Sequence, residues 1–310
     1  MTSKRQNYRP NSATKIKNSF STKLFFGIGL FLITVFALIC LIPFIMLISG
    51  SFSSENEIVS KGYSLLPRSA TLNAYKSLVP YADQLLDSYV ITAGFTVVGT
   101  ALTVFFTTIV GYALSRNEFK ARNAILFFIY YTTLFSGGLT PWYIVITQCL
   151  HLKNSFWVYV IPSLMGPFNI FLVKNFLKSI PDSLVESARI DGANEFFIYR
   201  KIIVPLAKPC IATITLFTSL GHWNNWYMSS IFINDSKKFS LQYVLYNIMQ
   251  NANYFEQQAM LSGNMNAVMN MPRETTKLAM ALITIGPVIL FYPFLQRYFV
   301  EGLTIGSVKG

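Results

Sequence analysis

Six stretches of this chain are each long and apolar enough to cross a lipid bilayer, and that excludes most folds. A span needs about 20 mainly apolar residues. Leu24–Ser49, Tyr89–Leu114, Ala124–Leu150, Phe156–Leu177, Ile211–Ile233 and Leu278–Phe294 all qualify. Lipid offers no hydrogen bonds to a backbone, so each stretch must satisfy its own N–H and C=O groups as a helix. The expected fold is an all-α polytopic membrane protein with six transmembrane helices. Composition agrees: 12% of residues are charged, against about a quarter in soluble domains. The first stretch exceeds the roughly 7–15 residues of a signal-peptide core, and no small-x-small cleavage site follows it. It is expected to be an uncleaved span.

Positive charge orients such a chain, because basic loops stay in the cytoplasm. Residues 1–23 hold Lys4, Arg5, Arg9, Lys15, Lys17 and Lys23 and no acid. Residues 116–123 hold Arg116, Lys120 and Arg122, and residues 174–208 hold Lys174, Lys178, Arg189, Arg200, Lys201 and Lys208. With six spans these three segments share one side, which places both termini in the cytoplasm. The net charge of +12 is then accounted for by orientation, and nucleic acid is not expected as a partner. The expected organisation is a basic tail 1–23, a first span 24–49 and an outer loop 50–87. A five-helix core 88–296 follows, with a cytoplasmic loop 181–206, and then a cytoplasmic tail 297–310. Cys40, Cys149 and Cys210 are scattered in or beside apolar runs and show no metal-ligand spacing. No metal site is expected.

The loop 181–206 is the most informative polar segment. Pro181 breaks from the fourth span. Ser183 and Glu186 have the spacing of a capping box, which predicts a short helix over 183–190. Asp191-Gly192 should stop it, because glycine tolerates positive φ. Asp191 or Asn194 can cap a second helix carrying Phe196, Phe197, Ile198 and Tyr199, and Pro205 marks the entry to the fifth span. A hairpin of this kind can rest on lipid headgroups or serve as a docking handle for another protein.

Glu186-Ser187-Ala188, then Gly192, Ile202 and Val204-Pro205, resemble the "EAA loop" of binding-protein-dependent ABC importer permeases. Ser187 and Val204 replace the usual Ala and Leu. Residues 24–310 look like the maltose-type carbohydrate permeases. Tyr292–Val300, Gly302 and the closing Gly306-Ser307-Val308-Lys309-Gly310 carry that likeness. Gly137-Gly138-Leu139-Thr140-Pro141 and Trp223-Asn224-Asn225-Trp226 are closest to permeases of complex-polysaccharide and oligosaccharide uptake systems.

The resemblance implies a type I ABC importer permease fold in the plasma membrane of a prokaryote. It implies a second homologous permease, two ATPase subunits, an extracytoplasmic substrate-binding (lipo)protein and a carbohydrate substrate. Ser183, Glu186, Ser187, Ala188, Asp191, Gly192 and Ala193 would couple to the ATPase, and Gly306, Ser307, Val308, Lys309 and Gly310 would contact it. ATP and magnesium would sit on those partners. This chain has no G-x-x-x-x-G-K-[ST] run, and no cofactor of its own is expected.

Polar residues inside spans are costly and mark cavities. His222, Asn225 and Trp226 stand at i, i+3, i+4, one helix face if the fifth span runs on through them. Trp142 and Tyr143 follow a stretch loosened by Gly137-Gly138 and Pro141, and Asn169 is a mid-span amide. Amides and flat rings suit a sugar, so these six residues are the candidate solute path. The same types also form boundary belts and helix–helix glue. Arg273, Glu274 and Lys277 read as a solvated helix end, and the Asn-, Gln- and Met-rich 251–271 as an outer loop. An importer for a non-sugar solute such as polyamine or phosphate is the alternative. An ion-driven transporter or membrane enzyme would need mid-span carboxylates, which are absent. No catalytic residues are expected.

Overall fold

The computed structural model describes residues 20–261 and 272–289. Residues 1–19, 262–271 and 290–310, including the end of the sixth expected span and the tail residues Gly306–Gly310, lie outside the described residues. Among the described residues the protein is helical, with one isolated antiparallel bridge between Ser53 and Ala70.

Helix α1 (Phe20–Ser51) is apolar on every face. An 18-residue apolar window of it has no buried residue, and burial begins only at its end, from Ser49 to Ser51. A helix hydrophobic all round belongs in lipid or against a membrane partner. Two short helices, α2 (Glu55–Lys61) and α3 (Asn73–Lys76), lead into α4 (Ala82–Ser115), the axis of the fold. The buried face of α4 is rich in small residues, Ser88, Thr92, Gly99, Thr103, Thr107 and Gly111 among them, set beside the larger Leu85, Phe95, Tyr112 and Leu114. Small side chains let helix backbones approach closely in a membrane.

The third span is not the single helix that 124–150 suggested. Helix α5 (Arg122–Leu134) stops, and α6 (Leu139–Ile144), extended by a wide turn to Cys149, leaves at 118° to it. The break is the glycine pair, with Gly138 at φ +79°. The fourth span also differs. Residues 156–163 form two short 3₁₀ turns before α7 (Pro167–Lys178), with a bend of 47°. Pro162 and Pro167 each lack the N–H that a continuous helix would use there. Helices α8 (Asp182–Ile190), α9 (Glu195–Ile198) and α10 (Val204–Leu206) make the expected loop. Helix α11 (Lys208–Trp223) then turns away at 80°. It ends at Trp223, ten residues short of the expected Ile233, and α12 (Tyr227–Phe232) and α13 (Leu241–Leu261) follow as separate helices. Residues 274–289 form α14, the described part of the sixth span. Two described helices are long and apolar enough to cross a bilayer, or up to five if each bent pair is one span.

Helix α4 packs chiefly on α7 and α11. Tyr112, Val173, Leu177, Val185, Ile198, Ile203 and Ile214 form one core, at the end that carries the 181–206 loop. A second core, around Ala74, Leu78, Trp223, Leu241, Val244 and Met280, closes the other end. There the Glu55 carboxylate accepts the backbone N–H of Glu274 (2.7 Å) and of Thr275 (2.9 Å), and the Thr275 hydroxyl (2.7 Å). Those N–H groups are first-turn donors with no partner inside α14. A carboxylate from the far end of the chain therefore caps the sixth span.

Candidate coupling site and solute path

The loop 181–206 is a two-helix hairpin fastened to the core. Val185 and Ala188 face inward, at 2% and 9% exposure, while Leu184 and Ile190 face out at 44% and 86%. Ser183, Glu186 and Ser187 lie on the outer side. The expected capping box does not form: Pro181 occupies the N-cap position and offers no side-chain bond. Asp182 begins the helix, so Ser183 falls inside it. The stop is as the residues suggested. Gly192 sits at φ +82°, its N–H bonds to the Arg189 carbonyl (3.0 Å), and the Ala193 N–H bonds to the Ala188 carbonyl (2.9 Å). This pair of bonds is the Schellman closure, which leaves Asp191 and Gly192 exposed at the tip. Asn194, rather than Asp191, caps α9, accepting the Phe197 N–H at 2.8 Å. Phe196 and Phe197 are then presented outward, while Ile198 is fully buried.

A polar network that the sequence did not reveal ties this hairpin to α4 and to the 116–121 turn. Arg189 donates to Glu118 (2.8 Å) and to Glu195 (2.8 Å). The other Glu195 oxygen accepts the Tyr112 hydroxyl at 2.7 Å. Arg116, almost buried, meets Asp182 at 3.2 Å and lies over the Tyr112 ring at 5.2 Å. The hydroxyls of Thr108 and Tyr199 bond at 2.7 Å. Apart from Arg189–Glu195 and Arg116 over Tyr112, these partners stand 66 to 91 positions apart, so no local spacing could announce them. Arg116 entered the sequence reading only as a topology charge, and Tyr112 and Glu118 not at all.

The Arg189 guanidinium holds the Glu118 carboxyl below its usual range through its hydrogen bond. A depressed carboxylate contributes its stability at neutral pH and loses it as pH falls through the depressed value. The link is thus complete at neutral pH. Each exposed pair contributes only about 0.2–1 kcal/mol, so Arg189→Met should leave the yield of folded protein unchanged. Its expected effect is on transmission: less solute moved per ATP hydrolysed. The check is uptake and hydrolysis measured on the same vesicles, and an unaltered ratio would reject the role.

The six solute-path residues do not share one wall. The expected helical face of His222, Asn225 and Trp226 is absent, because α11 ends between them. His222 is buried at the helix end, edge-on to Phe95 at 6.1 Å. A Cβ on Gly99 would lie 2.6 Å from its Nε2, which has no hydrogen-bond partner among the described residues. Asn225 is half-buried and caps α12, accepting the Met228 N–H at 3.1 Å. Asn169 donates to the Thr218 hydroxyl at 3.4 Å, a contact between α7 and α11. Trp142 and Tyr143 pack on Phe232, and Trp142 also stacks towards Tyr227 at 6.3 Å. Trp226 is 43% exposed and stacks on Tyr246 at 5.3 Å. The aromatics Trp142, Tyr227, Trp226 and Tyr246 form one continuous run, while His222 and Asn169 sit in helix–helix contacts.

The sequence profile described as "Binding-protein-dependent transport system inner membrane component" matches residues 11–305. The chain is 37% identical over 295 residues to the polygalacturonan/rhamnogalacturonan transport system permease protein YtcP of Bacillus subtilis, covering 95% of this chain and 100% of that protein. It is 30% identical to the arabinooligosaccharides transport system permease protein AraQ of the same organism, over 88% of this chain and 92% of that one. A chain from the crystal structure of a bacterial ABC transporter involved in the import of the acidic polysaccharide alginate superposes with a TM-score of 0.74 at 32% identity, covering 91% of this chain and 98% of that one. A likeness of that extent carries the type I importer fold onto the bent spans and clamped hairpin described above. The chain belongs to the family of binding-protein-dependent transport system inner membrane components, a membrane permease and not a catalytic subunit.

Proposed function

We propose that this chain is one of two permease subunits of an ATP-driven importer of oligosaccharides. The observation that carries the reading is the hairpin 182–206. Its inward side chains are buried in the core and its outward ones, Leu184, Ile190, Phe196 and Phe197, are exposed. Exposed apolar groups on a rigid polar-tipped hairpin suit a cleft on a soluble partner. The partner in this reading is one of two ATPase subunits that hold ATP and magnesium, with the turn 186–193 as the contact. The tail 306–310 adds a second contact. An extracytoplasmic binding protein delivers the sugar to the opposite face. The basic segments support a cytoplasmic position for both termini and the hairpin. The carbohydrate assignment draws support from the named substrates of the relatives. Closure of the ATPases would rock the clamped hairpin, and with it α4, between inward- and outward-facing states.

Affinity purification of the tagged chain from its native membrane should bring down a second permease and an ATPase. Deleting the gene should abolish uptake of an oligosaccharide and leave other solutes unaffected. Normal growth on every oligosaccharide tested, with polyamine or phosphate uptake lost instead, would transfer the function to the non-sugar alternative.

A further inference from the structure

The arm that joins the hairpin tip to the fifth span carries exposed cations that the coupling role leaves unused. We propose that residues 199–208 dock on the anionic phospholipid headgroups of the cytoplasmic leaflet. This rests on the orientation in the reading above. The direction of the arm is the first support. Helix α11 packs on α4, and the 195–206 arm meets α11 at 80°. With α4 crossing the bilayer, the arm lies nearly in the membrane plane, at the entry to the fifth span. A segment in that plane with one anchored side and a basic exposed side has the geometry of an interfacial helix. Ile198, Ile203 and Ala207 are buried and fix the arm to the core, and the Tyr199 hydroxyl adds its bond to Thr108. Arg200, Lys201 and Lys208 are left exposed, with Leu206 exposed between them.

Charge is the second support, because it separates along the hairpin. From 182 to 195, Asp182, Glu186, Asp191 and Glu195 stand against Arg189 alone, whereas 196–208 carries Arg200, Lys201 and Lys208 and no acid. Two of those acids are already engaged: Asp182 bonds Arg116, and Glu195 bonds Arg189 and Tyr112. The other two, Glu186 and Asp191, are exposed on α8 and at its tip. The side chains of Arg200, Lys201 and Lys208 make no hydrogen bond or ion pair with any described residue. Lys178, exposed at the end of α7 next to Leu177 of the same core, extends the patch. Unpaired cations at this depth face lipid phosphates, and a guanidinium can hold a phosphate through two parallel bonds. Each basic residue near an anionic leaflet adds to the attraction. The acidic tip is thus turned to the soluble partner and the basic arm to the bilayer.

The test takes the full chain with its partner subunits in mild detergent and adds phosphatidylglycerol, phosphatidylcholine or inorganic phosphate. Native mass spectrometry counts the lipids that stay bound. Phosphatidylglycerol should bind on the order of tenfold more tightly than phosphatidylcholine, and inorganic phosphate should not displace it. Arg200→Gln and Lys201→Gln together should remove the preference, while Arg200→Lys, which keeps the charge, should retain it. Lys208→Gln alone should weaken it in part, which keeps the patch testable if the double variant fails to assemble. Lys23→Gln with Lys120→Gln, exposed cations off the arm, should leave it intact. Equal binding of the two lipids, a preference that survives the Arg200 and Lys201 changes, or an equal loss in the Lys23 and Lys120 control overturns the site. Displacement by inorganic phosphate would reject the lipid as occupant. Loss of the ATPase from the Arg200 and Lys201 variant in either lipid would give these cations to that subunit instead. Cells lacking this chain that still import every oligosaccharide would reject the proposed function, with the lipid count unaffected.

Discussion

Gly192→Val should abolish most solute uptake while the protein still inserts and folds. Gly192 is at φ +82°, and a Cβ there would meet nothing within 4 Å. The penalty is therefore backbone strain alone, of about 1–2 kcal/mol for an L-residue in the left-handed region, and higher for a β-branched one. That strain is relieved by opening the turn, which breaks the closing bonds from Gly192 and Ala193 and misaims α8 against α9. The tip would then fail to match its docking cleft. Gly192→Asn supplies the control, since asparagine tolerates this region and should keep much of the activity. Uptake and ATPase co-purification should fall together in the valine variant and recover in the asparagine one. Valine behaving like glycine in both assays would remove the turn from the coupling mechanism.

Gly111→Leu should act earlier, at folding. A Cβ at Gly111 would already lie 2.5 Å from Val173 Cγ1 and 3.3 Å from the backbone nitrogen of Lys174. The second neighbour is backbone, so it cannot swing aside. Helices α4 and α7 must separate, and the core around Tyr112, Val173 and Leu177 opens with them. Overpacking of this kind costs about 1–3 kcal/mol and can exceed that. The expected result is a large loss of monodisperse protein in detergent and a lowered unfolding temperature. Gly221→Ala, where an added Cβ meets nothing within 4 Å, should change neither. A Gly111→Leu protein with normal yield and melting would mean that α4 and α7 do not pack as described.

The two substitutions differ in how readable their sites were. Asp191-Gly192 after an amphipathic turn has a local meaning, because few residues but glycine can close a helix that way. Gly111 lies inside a long apolar run, and only the approach of α7 shows why a side chain is excluded. The same contrast holds along the chain. The apolar stretches revealed the class of fold, but not where each span breaks. At Gly137-Gly138 the loosening was legible and the 118° reversal was not, since its angle is set by what α6 packs against. Trp223-Asn224-Asn225-Trp226 carries no proline or glycine, so the end of α11 left no mark. It ends where Trp223 turns inward to donate its ring N–H to the Thr284 carbonyl at 3.1 Å. The Ser183/Glu186 pattern failed because the helix begins at Asp182, after Pro181 at its N-cap, which leaves Ser183 inside the first turn.

The Glu55 cap bears on how such a chain is made. During synthesis Glu55 is made some 220 residues before Thr275. The first turn of α14 has no cap of its own until that carboxylate finds it. The first turn of α14 is thus completed by a segment made some 220 residues earlier in the chain. A chain interrupted before α14 would leave the Glu55 carboxylate without these three bonds.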